Sequence, residues 1–336
     1  MSSNYGKNLK ITLFGEAKGL AVGVVIDGLQ PGVRIDFGAI DLELKRRRGG
    51  NPLTSPSDET DIPVVFSGIR DEVTCGTPVC AALRTSEGAA AETGLPSGGQ
   101  ELYNGYNGFV SGDHLSARAA AGIVFAGALC KQILHARGIR IGSHVLSIGK
   151  VRDDSFDKTD INPGTLQCLI TERIPLLNPY VRKAIEETVM DAARRRTTLG
   201  GVIEAAVTGV PAGLGEPFFD NAESVLSHLL FAIPSVKGVD FGSGFALAEM
   251  EGHELGSSAA ASEANLAGGF DGGISTGLPV ICRAAFRPAQ SAPDDADGDL
   301  RYDPCSVLRA CPVVEAMLAI GVLDLLYSRQ ARTLSE

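Results

Sequence analysis

Residues 312–327, PVVEAMLAIGVLDLLY, are apolar nearly all the way round a helix that opens on Pro312. A helix without a polar face has no stable place at a surface, so other elements must enclose it. The chain has 336 residues, long enough to build such a core. Its make-up, 44% hydrophobic and 21% charged with no apolar run able to span a bilayer, is that of a soluble globular protein. The opening MSSNYGKNLKITLFG lacks the layout of a signal peptide, which predicts a cytoplasmic protein with no membrane partner.

Short β-branched runs at Val22–Ile26, Val64–Phe66, Val79–Arg84 and Ile203–Val207 predict strands. Ser116–Ala136, rich in Ala and Leu and followed by Gly138, predicts a helix. Asn178–Arg196 predicts another, with a capping asparagine, Pro179 at the first position and three arginines at the end. Strands and helices mix without regular alternation, so the expected class is α+β, a single domain over 1–336 with loose loops near 87–101 and 293–299. VVIDGLQPG (24–32) and AAVTGVPAG (205–213) share a strand and its turn chemistry, a hint of internal duplication.

A net charge of −10 argues against a nucleic-acid partner, because phosphate backbones demand a basic face. The seven cysteines show no zinc or redox spacing and read as reduced thiols. Lys45-Arg46-Arg47-Arg48 lie beside Gly49-Gly50, and single arginines stand in small-residue loops at 118, 287, 301 and 309. In an acidic chain these are candidates for binding a small anion, a phosphate or a carboxylate. For 45–48 a solvated surface run is the competing reading.

Four short stretches carry reactive residues. In FGEAKG (14–19), Gly15 and Gly19 frame Glu16 and Lys18 and allow close approach to a ligand. GGFDGGISTG (268–277) reads either as an anion nest or flat-ring platform, or as a tight turn between buried strands. SGDHLSARAAAG (111–122) sets His114, Ser116 and Arg118 at the mouth of a helix, a sensible phosphate site unless Ser116 is only a cap. RYDPC (301–305) places Arg301 and Asp303 ahead of the buried helix, where Asp303 either shapes a turn or does chemistry.

Together, GVVIDGLQPG, RRRGGN, TCGTPV, VFAGALCKQIL, GVPAGLGEPFFD, IPSVKGVDFGSGF, GGFDGGISTGLPV and DPCSVLRACPVVEAM are similar in order and wording to the chorismate synthase family, from about residue 11 to 327. The resemblance implies a β-α-β sandwich, a homotetramer, reduced FMN as cofactor and a small anionic substrate. The implied lyase reaction takes phosphate and a proton from 5-enolpyruvylshikimate 3-phosphate to give chorismate. By the same resemblance Arg46, Arg47, Arg48, Arg118 and Arg301 bind substrate. Ser116, Arg118, Gly272, Gly273, Ser275, Arg287 and Asp303 bind the flavin, with Asp303 and Lys18 at catalytic positions.

The departures fall on acids. The family's Gly-Glu-Ser-His-Gly motif reads Gly15-Glu16-Ala17-Lys18-Gly19, so Lys18 replaces a histidine. The Arg-Pro-x-His-Ala-Asp motif carrying the second histidine has no counterpart in the 85–105 region, and Tyr302 replaces the histidine of Arg-His-Asp-Pro-Cys. Loss of one general acid typically costs about 10²–10⁴ in rate, which implies altered or weak activity. Two alternatives are a repurposed member acting on another anionic cyclohexene and a non-catalytic ligand-binding or scaffold paralogue.

Overall fold

The structure, a computed structural model, describes residues 3–16, 19–49, 53–54, 59–85, 117–253, 264–289 and 303–333. The first half runs β1 (Asn4–Tyr5), β2 (Lys10–Gly15), β3 (Ala21–Asp27), α1 (Phe37–Arg48), β4 (Pro63–Ser67), a hairpin β5–β6 (Ile69–Arg70, Val73–Thr74), β7 (Val79–Arg84) and α2 (Ala120–Ala136). The second runs β8 (Arg140–Ile148), β9 (Val151–Arg152), α3 (Pro163–Thr171), α4 (Arg182–Arg194), β10 (Gly201–Thr208), α5 (Ala222–Phe231), β11 (Val236–Phe241), a hairpin β12–β13 (Phe270–Asp271, Ile274–Ser275), β14 (Val280–Phe286) and α6 (Cys311–Thr333).

Two antiparallel five-stranded sheets, β1-β2-β3-β7-β4 and β11-β14-β10-β8-β9, enclose a helical layer, giving an α+β sandwich. Helix α2 packs on the first sheet and α6 on the second, and the two helices lie against each other. Their approach is so close that a Cβ on Gly127 would stand 2.2 Å from the Ala316 Cβ. The apolar segment that opened the sequence is fully enclosed: every residue from Cys311 to Leu326 is buried. Among the described residues α6 is the one helix long and apolar enough to cross a membrane, and it serves as core.

The strand expected at Val79–Arg84 appears with those bounds, and the other three extend one or two residues past the predicted ends. The helix expected from Ser116 begins as a 3-10 turn, Ala117–Ala119, and the one expected from Asn178 as a 3-10 turn, Pro179–Val181. The basic run predicts no helix by its own pattern, yet it forms the last turn of α1. The Asp36 side chain caps that helix by accepting from Gly38 N (2.7 Å), Ile40 and Leu44 are buried, and the cations complement the dipole at the far end.

The echo at 24–32 and 205–213 marks a structural repeat. Read as β8-β10-β14-β11, four strands of the second sheet match β2-β3-β7-β4 of the first in order and chain sequence, with β3 and β10 central in each; the edges differ, since β1 precedes β2 whereas β9 follows β8. Each half has its hairpin, and each ends in a long helix headed by a 3-10 turn, Ala117–Ala119 or Ser306–Arg309. Hairpin and turn are tied in the same way twice. The Thr74 hydroxyl donates to Gln30 O (2.7 Å) and accepts from Val33 N (2.9 Å). The Ser275 hydroxyl donates to Pro211 O (2.7 Å) and accepts from Leu214 N (2.8 Å).

The halves differ in what covers their outer faces. A strap over residues 153–178 lies across the second sheet, where Phe156, Ile161, Leu166 and Leu169 bury against Ala206 and Ile281. An ionic latch fastens it: His144 on β8 sits 3.0 Å from Asp153 and 3.1 Å from Glu204 on β10. Glu204 also accepts from Phe156 N (2.7 Å), and Asp153 from Leu177 N (2.7 Å) and Asn178 N (3.0 Å). Among the described residues nothing comparable covers the first sheet, where Ile62, Val64 and Phe66 are 65%, 42% and 67% exposed.

Burial pulls the His144 pKa down, but the hydrogen bonds and charges of Asp153 and Glu204 outweigh it and raise it above 6.5. For Asp153 burial acts upward, and the bonds from His144, Leu177 and Asn178 outweigh it and hold the group below 3.8. Stability from His144 is complete below 6.5 and lost as pH rises through its folded value; that from Asp153 is complete above 3.8 and lost as pH falls through its own. Urea unfolding across pH should therefore show the latch at full strength between those limits. His144→Ala, which strands two buried carboxylates, should cost about 3–5 kcal/mol and flatten the alkaline arm of the profile.

Candidate active site

At one end of the sandwich the last turn of α1, the heads of α2 and α6 and the end of β7 come together. Asp61, 3% exposed and held at a left-handed φ of 51°, clamps two arginines with one carboxylate. One oxygen accepts from Arg47 Nη2 (2.8 Å) and the other from Arg118 Nη1. Arg118 also donates to the Arg84 carbonyl (2.9 Å) and pairs with Glu59 (3.3 Å). The partly exposed Arg48 donates to the carbonyls of Glu59 and Thr60 (3.0 Å each).

Arg309, in the 3-10 turn ahead of α6, pairs with Asp303, whose other oxygen accepts from Cys305 N (3.2 Å). The arginine stem lies across the end of α1, where Gly49 has φ 74° and a Cβ would meet Arg309 Cδ at 2.7 Å. Only glycine leaves that path open. Burial lowers the Arg47 pKa, Asp61 opposes the shift, and the charges of Arg118 and Arg309 add to it. The guanidiniums of Arg118 and Arg309 thus both lie within electrostatic reach of Arg47. Arg309 Nε is buried with no hydrogen-bond partner among the described residues. Forked donors around a desolvated cluster suit a phosphate or carboxylate.

The remaining expected site residues are distributed differently. Arg46 faces away from its neighbours: it donates to Glu43 (2.5 Å) and bidentately to Glu315 (2.8 and 2.9 Å). Lys131 joins both carboxylates, and Ser143 donates to Glu315 (2.7 Å). Burial would raise the Glu315 pKa, but Arg46 and Lys131 hold it well below the carboxylate range. Where substrate binding was expected of Arg46, its described contacts tie α1 to α6, and Lys131 adds α2 to the same network.

Gly272, Gly273 and Ser275 lie in the β12–β13 hairpin, before β14, whereas Arg287 follows β14. The seven residues of that strand set the two apart by about 20 Å. The Ser275 hydroxyl is already used by Pro211 and Leu214, so within this chain these three residues do not join the arginines. Arg287 is exposed and donates to the Pro288 carbonyl (3.2 Å), near the Leu199–Pro304 bond that leads to Asp303. Lys18, Ser116 and Arg301, with His114 and Tyr302, lie outside the described residues.

Sequence reasoning passes over Asp61, Glu43, Lys131 and Glu315. For Glu315 a signal existed, since a carboxylate inside an all-round apolar helix requires a buried cation. Asp61 sits in an irregular segment without any pattern to mark it.

The chorismate synthase family model matches residues 9–327. The chain is 36% identical to the chorismate synthase of Thermococcus gammatolerans, covering 97% of this chain and 98% of that protein. It is 35% identical to the one from Methanosarcina mazei over 95% and 94% of the two chains, and 33% identical to that of Synechocystis over 99% of each. A crystal structure of chorismate synthase superposes with a TM-score of 0.77 at 25% identity, covering 97% of this chain and 93% of the other. The chain belongs to the chorismate synthase family.

The two kinds of arginine should separate by experiment. Glu315→Gln, which uncouples Arg46 and Lys131, should cost about 3–5 kcal/mol in urea unfolding. Arg48→Ala should cost about 1 kcal/mol or less, while weakening inorganic phosphate binding about tenfold by calorimetry.

Proposed function

We propose that this chain carries out the family's lyase reaction in altered or weakened form: 5-enolpyruvylshikimate 3-phosphate loses phosphate and a proton and yields chorismate. The C–O bond to phosphate breaks with its electron pair leaving on the phosphate, and a ring C–H gives up its proton. The observation that carries the reading is the cluster of Arg47, Arg118 and Arg309 beside Asp303 at one end of the fold. Arg47, Arg48 and Arg118, with Arg301, receive the anionic groups of the substrate. Asp303, oriented by Arg309 and the Cys305 N–H, is the carboxylate positioned to manage the proton. Lys18 supplies charge to the departing phosphate in place of a histidine, which supports stabilisation better than proton transfer.

The donor set fits reduced FMN, whose own phosphate asks for the same chemistry: forked arginines and a buried guanidinium nitrogen without a partner. Ser116, Arg118, Arg287 and Asp303 are the residues that would hold it, while Gly272, Gly273 and Ser275 serve the β12–β13 turn. When bound, the reduced flavin supplies electron density that eases departure of the phosphate, with no net oxidation. The reading includes a single domain in the cytoplasm. It also includes a homotetramer, for which the bare apolar face at Ile62, Val64 and Phe66 is the natural meeting surface.

Anaerobic incubation with dithionite-reduced FMN and 5-enolpyruvylshikimate 3-phosphate should release chorismate and phosphate about 10²–10⁴-fold more slowly than a relative with both histidines. Lys18→His should raise that rate. Absent turnover with tight flavin binding would point to another anionic cyclohexene, and absence of both to a scaffold. For the assembly, Phe66→Asp should shift the native mass measured by light scattering towards the monomer, and an unchanged mass would rule this face out.

A further inference from the structure

The internal repeat puts two arginines in matching places. The 3-10 turns Ala117–Ala119 and Ser306–Arg309 head the two long central helices, and each turn contributes one arginine, Arg118 and Arg309. Both act on Arg47, so the two helix heads face one region, where their positive dipole ends add to the guanidiniums. Arg118 is accounted for by Asp61, Glu59 and the Arg84 carbonyl. Arg309 has one ion pair among the described residues, with Asp303, and its side chain is 26% exposed where that of Arg118 is 8% exposed. A guanidinium carries five N–H donors in a rigid fork, so this one has the capacity for a phosphoryl oxygen that its present contacts leave open.

We propose that Arg309 is an anion-binding residue of this site, the second-half counterpart of Arg118, and that its ligand is the phosphoryl group of a small phosphorylated molecule. This deepens the functional reading above and rests on its placing of the site. The Asp303 carboxylate occupies part of the fork and orients it, and the part of the guanidinium that reaches the surface meets the ligand.

A purely structural Arg309, there only to hold Asp303, makes a different forecast, and the two separate in the sign of an effect. Calorimetric titration with inorganic phosphate should show Arg309→Met weakening affinity about tenfold or more. Asp303→Asn, which releases Arg309 from its carboxylate, should tighten phosphate binding about threefold. Shifts of both variants in the same direction, or unchanged phosphate affinity in a folded Arg309→Met, would overturn the proposal. Should Arg309→Met not fold, Asp303→Asn decides alone, because weakened or unchanged phosphate binding there defeats the proposal. Separate titrations of Arg309→Met or Arg309→Lys with FMN and with 5-enolpyruvylshikimate 3-phosphate identify the source, since only the ligand whose phosphate meets Arg309 loses affinity. None of these readouts needs turnover, so failure of the lyase reading is seen separately, in the absence of chorismate.

Discussion

Glu315 carries its charge at a depth where none of its side chain meets solvent, and such a charge persists only if its partners arrive with it. Those partners are Arg46 from α1, Lys131 from α2 and Ser143 from β8, so one carboxylate near the start of α6 fixes how three other elements meet it. The last turn of α1 is thereby placed before any ligand is considered. Arg47 and Arg48 follow Arg46 on the same turn, and successive residues on a helix point about 100° apart. Anchoring the first of the three aims the other two at the end of the sandwich where the heads of α2 and α6 meet.

The electrostatics of that end follow the same economy. Asp61 and Glu59 answer Arg47 and Arg118, and Asp303 answers Arg309, so these three guanidiniums meet three carboxylates, while the neighbouring Arg48 donates to the carbonyls of Glu59 and Thr60. A cluster of buried forked donors favours an anionic ligand, because each charge-assisted bond it forms lies in a region already stripped of water.

How much of this the sequence discloses depends on the type of information involved. Strands such as Val79–Arg84 and the enclosed helix are legible because burial writes its periodicity into consecutive residues. The repeat at 24–32 and 205–213 is legible in outline because turn chemistry restricts the residues allowed. Helix α1 is hidden, since its pattern is mostly polar and its stability comes from Asp36, Ile40, Leu44 and the ion network. Arg47 and Arg118 are found from the motifs, but nothing local distinguishes Arg46 from Arg47, because the difference lies in which distant carboxylate each meets. GGISTG is ambiguous for a further reason: the glycines that suit a ligand loop also suit a hairpin, and the Ser275 bonds to Pro211 and Leu214 that build the hairpin come from residues distant in the sequence.

The strap over residues 153–178 breaks a symmetry that the rest of the chain nearly keeps. Two matched sheets, each with a bare apolar face, would let copies stack on both sides and grow into an unending filament. The chain closes one of those faces with its own strap, latched through His144, and among the described residues leaves the face at Ile62, Val64 and Phe66 bare. Pairing through the other face would end once two faces have met, so the strap limits what this pair of sheets could build by stacking alone.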